Sequence, residues 1–215
     1  MFEAVIFDLD GTLLDTLEDL ARAMNRVLEQ SGLPVHPVEN YKLLVGDGVE
    51  NLVRRALPEP MRDPQTVSRA MAAMRLEYSK AWAASTRPYP GVAELLDGLR
   101  ARRIPMAVLS NKPDDFTKRM VATMLPSWQF QLVLGERTGI PRKPDPGGAL
   151  EISSSMGIDP AGFLYLGDTD TDMRTAVAAG MYPVGALWGF RTARELLSSG
   201  ARRLLKRPQD LLEFF

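Results

Sequence analysis

Asp8-Leu9-Asp10-Gly11-Thr12 follows directly on the apolar run Ala4 to Phe7. Side chains alternate along a strand, so Asp8 and Asp10 start on the same side and can reach one crevice. Gly11 lets the chain turn sharply, and the backbone amides after Asp8 can form a concavity that suits phosphate. Asp-Gly also makes ordinary turns. A second acidic cluster, Gly167-Asp168-Thr169-Asp170-Thr171-Asp172, follows the run Phe163 to Leu166 and opens a helix. Aspartates there can serve as caps and dipole partners. Two such clusters at the ends of parallel strands crowd negative charge into one crevice, however, and a bound hard cation is the usual way to offset it. The complementary groups are Ser110-Asn111-Lys112, after the run Ile104 to Leu109, and Lys143 in the turn Arg142-Lys143-Pro144. Ser110 and Asn111 can bond phosphoryl oxygens or cap a helix beginning near Pro113, and both readings stand. Lys143 by itself reads as surface charge.

These residues need a frame, and the apolar runs supply one. Ala4 to Phe7, Ile104 to Leu109, Phe130 to Leu134, Phe163 to Leu166 and Tyr182 to Ala186 read as buried parallel strands. Helical patterns lie between most of them, at Val92 to Arg102, Asp114 to Met124, Gly148 to Met156 and Thr171 to Ala179. The alternation predicts an α/β fold with a doubly wound, mainly parallel sheet whose ligand crevice lies at the carboxyl ends of the strands. From about Thr16 to Ala84 only helical signals occur. That stretch reads as an inserted helical cap domain, 16–84, in a core domain of 1–15 and 85–215. Thr16 is the expected N-cap of a helix Leu17 to Gln30, with Glu18 and Asp19 in its first turn and Gly32 beyond its end. Gly48 to Ala56 and Gln65 to Ala84 carry helical spacing, and their methionines read as core filler. Leu13 to Thr16 and the proline-bounded Thr86 to Gly91 are the expected hinges.

Composition removes several chemistries. With no Cys and a single histidine, His36, the chain has neither a cysteine nucleophile nor paired histidines, so carboxylates must carry the reaction. Neither the Gly-rich lysine loop of nucleotide hydrolases nor the Ser elbow of serine hydrolases is present. A formal charge of -1, from 26 basic and 27 acidic residues, gives no bulk attraction to nucleic acid or acidic lipid. The lack of a membrane-length apolar segment, of a basic leader and of Cys predicts a cytoplasmic protein that binds neither membrane nor nucleic acid, as a monomer or homodimer.

Asp8 to Thr12, Ser110 with Asn111, Lys143, and Gly167-Asp168 with Asp172 occur together in this order. In them the sequence resembles the haloacid dehalogenase superfamily, and within it the phosphoglycolate phosphatase group. The resemblance implies Mg²⁺ held by Asp8, the Asp10 carbonyl and Asp168, with Asp172 supporting the site or Lys143. It further implies Asp8 as nucleophile, Asp10 as acid and then base, Lys143 neutralising charge, and Ser110, Asn111 and Lys143 holding the phosphoryl oxygens. An alkoxide leaving group needs a proton and a halide does not, so Asp10 favours a phosphatase over a dehalogenase. Thr12 is expected to shape its loop, Asp170 to cap its helix, and Asp15 to stand outside the catalytic set. The substrate is expected to be a small phosphorylated metabolite, best 2-phosphoglycolate. Candidate cap contacts are Lys42, Gly46 in the Gly46-Asp47-Gly48 turn, and Arg54, with Arg55 and Arg75 as further cations. A β-phosphoglucomutase-like reading is disfavoured because Leu17 to Met24 lacks the cap histidine of such relatives. Pyrophosphatase and broad sugar or nucleotide phosphatase readings share the core, and a silent binding protein would be expected to have lost site residues.

Overall fold

Strand β1 (Ala4–Phe7) is the centre of the molecule's sheet because every residue in it is apolar and buried, as a strand covered on both faces requires. In the computed structural model, which describes residues 2–215, the chain continues as β2 (Leu14–Asp15), α1 (Leu17–Gln30), α2 (Tyr41–Leu44), α3 (Val49–Ala56) and α4 (Pro64–Ala81). It returns through β3 (Arg87–Pro88) to α5 (Val92–Ala101), β4 (Met106–Pro113), α6 (Asp114–Met124) and β5 (Leu132–Glu136). Then come α7 (Gly147–Met156), β6 (Phe163–Gly167), α8 (Asp170–Ala178), β7 (Tyr182–Ala186), α9 (Ala193–Ser198) and β8 (Arg203–Leu205).

The main sheet runs β5-β4-β1-β6-β7-β8 with all pairs parallel, and β2 with β3 forms a two-stranded sheet of its own. Its register does the positioning. Phe7 lies level with Val108 on one side and Leu166 on the other, so the chain leaves three neighbouring strands at nearly one height. The strand order reverses at β1, where open α/β sheets place their ligands. Below that edge, Ile6, Leu109, Phe163 and Tyr165 pack with Ile152 of α7 and Ala176 of α8. Burying each large apolar side chain contributes roughly 1.5–3 kcal/mol.

Two compact units result: the N-terminal segment through Leu14 with Pro88–Phe215, and the helical Asp15–Arg87. The helical unit reaches beyond 16–84 for a visible reason. Asp19 of α1 accepts bonds from the amides of Ser85 and Thr86 and from the Thr86 hydroxyl, which ties those residues to it. Within this unit α1 buries Leu17, Leu20, Ala21, Met24, Val27 and Leu28, while α4 buries Val67, Ala70, Met74 and Tyr78. Asp63 caps α4 by accepting from the amides of Gln65 and Thr66.

Several local expectations are corrected. Thr16 occupies the N-cap position but makes no side-chain cap bond, and its buried hydroxyl has no partner. The Asp15 carboxylate instead accepts from the Leu17 amide at 3.4 Å. Asp170 is not the cap of α8; Thr169 is, in a reciprocal capping box with Asp172, and Asp170 pairs with Arg174 and Arg191. The strand expected at Phe130 to Leu134 begins two residues later, and β4 starts at Met106 because Pro105 has no N–H to give the ladder. Strand β8 and helix α9 had no clear apolar run or period.

Candidate active site

The loop after β1 closes on itself around the Leu9 carbonyl, which accepts from the amides of Thr12, Leu13 and Leu14. Gly11 makes this possible with φ +89, and a Cβ there would overlap the Asp168 carboxylate and the Phe190 ring. The turn therefore presses the first acidic segment against the second. Asp8 is buried (6% exposed), as are Asp168 and Asp172 (both 0%), and one carboxylate oxygen from each lies within 4.8 Å of the others.

Lys143 is set into this cluster. Its ammonium donates to Asp8 Oδ1 at 2.8 Å, Asp172 Oδ1 at 2.6 Å and the Leu109 carbonyl at 3.0 Å. Asp172 Oδ2 accepts from the Thr169 amide and hydroxyl, so one carboxylate both starts α8 and orients the lysine. Asp168 accepts from the Thr12 hydroxyl at 2.8 Å and from the Phe190 amide at 2.8 Å. Burial first, and Asp172 second, push the Asp8 carboxyl up to about 7 against the opposing pull of Lys143. Burial, then Asp8 and Asp172, also raise Asp168. For Lys143, burial works against the charged form, but Asp172 and Asp8 outweigh it and hold the ammonium well above its usual range.

Three buried carboxylates around one ammonium carry an excess of two negative charges when all are ionised. A hard divalent cation with oxygen ligands fits that donor set and that deficit. The raised carboxyls state the same imbalance from the proton's side.

Asp8, Lys143, and Asp168 with Asp172 are thus brought together from three separate places in the sequence. Asp10 is not with them: its carboxylate lies on Lys112 Nζ, at 3.0 and 3.1 Å from its two oxygens. Ser110 and Asn111 are buried at the end of β4, and neither caps α6, whose N-cap is Pro113. The Asn111 amide grips the backbone of Lys143 in both directions, at 2.9 and 3.0 Å. The side chain thereby fixes the lysine. Ser110 Oγ accepts from the Lys112 amide. Thr12, expected only to shape the loop, also donates to Asp168.

In the helical unit, Lys42 pairs with Glu39 at 2.9 Å. Arg54 pairs with Glu50 at 3.0 Å and donates to the Arg62 carbonyl. Arg55 pairs with Asp47, and Gly46 takes φ +113. Lys112 stands in the Ser110-Asn111-Lys112 run but received no role of its own, and sequence reasoning missed the Phe190 amide and Trp188, whose indole N–H donates to the Thr12 carbonyl. A buried lysine ending an apolar strand was a readable signal; a backbone amide 22 residues past Asp168 had none.

A parallel sheet of this order, with acidic clusters and a lysine gathered at its carboxyl edge, defines a doubly wound α/β protein with a buried charged site. The model of the haloacid dehalogenase-like hydrolase family matches residues 5–186, and the chain belongs to that family. It is 37% identical over 196 residues to a Pseudomonas putida phosphoglycolate phosphatase, spanning 89% of this chain and 72% of that protein. It is 31% identical to the Aquifex aeolicus phosphoglycolate phosphatase, spanning 97% of this chain and 94% of that one. A solved structure from Lactobacillus delbrueckii subsp. bulgaricus superposes with a TM-score of 0.93 at 31% identity, covering 99% and 98% of the two chains. The chain is a phosphatase of the phosphoglycolate phosphatase-like group. No described helix is long and apolar enough to cross a membrane.

Proposed function

We propose that this chain is a Mg²⁺-dependent phosphatase that hydrolyses a small phosphomonoester, best 2-phosphoglycolate, through an aspartyl-phosphate on Asp8. The observation that carries the reading is Lys143, a buried ammonium held between Asp8 and Asp172 inside a cluster of three carboxylates. Asp8, Asp168 and the Asp10 carbonyl would hold the metal, which when bound supplies positive charge opposite the phosphoryl oxygens.

Asp8 attacks phosphorus, and an acyl phosphate forms on its carboxylate as the bond to the leaving oxygen breaks. A carboxylate approaching a phosphate dianion is repelled, and Lys143 reduces that repulsion on the side of Asp8 it already occupies. Asp172 and Asn111 keep the lysine there from two directions. Asp10 gives its proton to the leaving oxygen and then takes one from the water that attacks the aspartyl-phosphate. Ser110 lends a hydroxyl to the transferring oxygens. Most of the rate comes from positioning and charge, as in phosphoryl transfer generally. Lys42, Gly46 and Arg54 of the helical unit serve as substrate contacts. The protein works in the cytoplasm as a monomer or homodimer, without nucleic acid or membrane as partner. The names of the P. putida and A. aeolicus relatives support 2-phosphoglycolate as substrate.

Phosphate release from 2-phosphoglycolate, sugar phosphates, nucleotides and pyrophosphate, with Mg²⁺ and with chelator, tests this reading. The expected result is Mg²⁺-dependent release with preference for 2-phosphoglycolate. Preference for another member removes that substrate and keeps the mechanism, whereas release undiminished by chelator removes the metal.

A further inference from the structure

Lysine is almost never fully buried without a partner, because dehydrating its ammonium is costly. The Lys112 side chain is only 4% exposed, and its ammonium is bound to both oxygens of Asp10. Its stem is anchored as well. The Lys112 amide donates to Ser110 Oγ at 3.2 Å, and its carbonyl accepts from the Thr117 hydroxyl at 3.1 Å. Strand β4 and the start of α6 thus fix the lysine, and the lysine fixes the carboxylate.

We propose that Lys112 is a positioning residue for Asp10, holding its carboxyl group in the place from which it serves the leaving oxygen. The inference rests on the phosphatase reading above, in which Asp10 is the acid and then the base. Two bonds from one ammonium, at 3.0 and 3.1 Å, centre the carboxylate on that nitrogen and fix its place more closely than a bond to one oxygen would. A carboxylate offers about four lone-pair sites, so Lys112 leaves others directed elsewhere. Asp10 is also the most exposed of the site's aspartates, at 19% of its side chain, and the loop gives it none of the enclosure that holds Asp8 and Asp168. An acid free to swing away loses much of its effect, because proton transfer needs hydrogen-bond reach to the accepting atom.

The step at stake is the first transfer. A bond forms between Asp8 and phosphorus, the bond from phosphorus to the leaving oxygen breaks, and its electron pair goes to that oxygen. The oxygen takes the proton of Asp10. An alkoxide needs that proton; a nitrophenolate is stable without it. Lys112 therefore matters for alkyl phosphates and little for p-nitrophenyl phosphate when kcat/KM, which stops at the first irreversible step, is compared.

The test measures kcat/KM of the full-length Mg²⁺-loaded protein on 2-phosphoglycolate, or the alkyl phosphate the panel selects, and on p-nitrophenyl phosphate. The variants are Lys112→Met, Asp10→Asn and the pair combined. Lys112→Met is expected to lose about 10²-fold on the alkyl ester, the lower end of what a general acid contributes, and only a few-fold on the aryl ester. The double variant is expected to be no slower than Asp10→Asn, since residues acting as a unit are not additive. Lys112→Arg should recover part of the loss. Lys112→Gln, which keeps an N–H donor, carries the same comparison should the Met variant not fold. Equal losses on both esters, or losses that multiply in the double variant, overturn the role of Lys112. Asp10→Asn without selectivity between the esters overturns the role of Asp10 and this one with it, and a wild type silent on both esters overturns the phosphatase reading itself.

Discussion

Lys143 stands 2.8 Å from Asp8 and 2.6 Å from Asp172, yet burial outweighs that pairing in how Asp8 responds to pH. Even with the lysine beside it, Asp8 is pushed from the ordinary 3.8 to about 7, so the folded protein without metal binds a proton there that the unfolded chain releases. Stability from this group is fully present below 3.8 and is lost as pH rises through about 7. The slope is at most about 1.4 kcal/mol per pH unit for each such group. Urea unfolding in chelator should therefore show stability falling across that window. Asp8→Asn, which cannot ionise, should flatten the slope, remain folded and lose all turnover; full residual activity or an unchanged slope would sink the assignment. The residues behind this argument were legible because their types are rare together: two clustered sets of aspartate, each directly after an apolar run. Lys112 closes the apolar run in plain view, but its pairing with Asp10, 102 positions away, has no local sign, and Phe190 serves Asp168 only through a backbone amide, which every residue but proline has.

Helix α1 shows what a sequence gives and withholds at the next scale. Its limits, Leu17–Gln30, were readable from period and punctuation, and Asp19 was readable as a favourable charge in its first turn. The larger role of Asp19 is tertiary. Its side chain is wholly buried, 2.9 Å from the Ser85 amide and 2.8 Å from both the amide and hydroxyl of Thr86. No pattern in residues 16–30 points to partners 66 and 67 positions away. Asp19→Ala leaves these donors without an acceptor and is expected to cost about 3 kcal/mol, at the upper end for a buried polar group orphaned by mutation. The midpoint of denaturant unfolding reads the cost, and faster hydrogen exchange at the Thr86 amide locates it. A loss under about 0.5 kcal/mol, the range of neutral surface changes, would mean water replaces the carboxylate. The strands were legible for the opposite reason. Ala4–Phe7 and Tyr182–Ala186 are apolar runs covered on both faces, whereas β8 (Arg203–Leu205) is an edge strand with its first residue exposed and offered little to read.

Across the whole molecule, 26 basic and 27 acidic residues nearly cancel, yet the buried carboxylates of Asp8, Asp168 and Asp172 all lie in one of the two units. A divalent cation bound by them stabilises the folded state by mass action, about 2.7 kcal/mol at a hundred times its dissociation constant. That stabilisation belongs first to the unit that owns the ligands. Hydrogen exchange, which reports opening segment by segment, should show Mg²⁺ protecting Asp8 to Thr12 and Thr169 to Asp172. The interior of α4, in the helical unit, contributes none of the three carboxylates and should change little without substrate. Asp168→Asn removes a charged ligand while its one oxygen still accepts from the Phe190 amide and its NH2 can donate to the Thr12 hydroxyl, so it should fold and lose the Mg²⁺ effect. Protection spread equally over both units, or retained in Asp168→Asn, would mean the cation acts elsewhere; protection confined to the two acidic segments would tie the local excess of negative charge to the metal that offsets it.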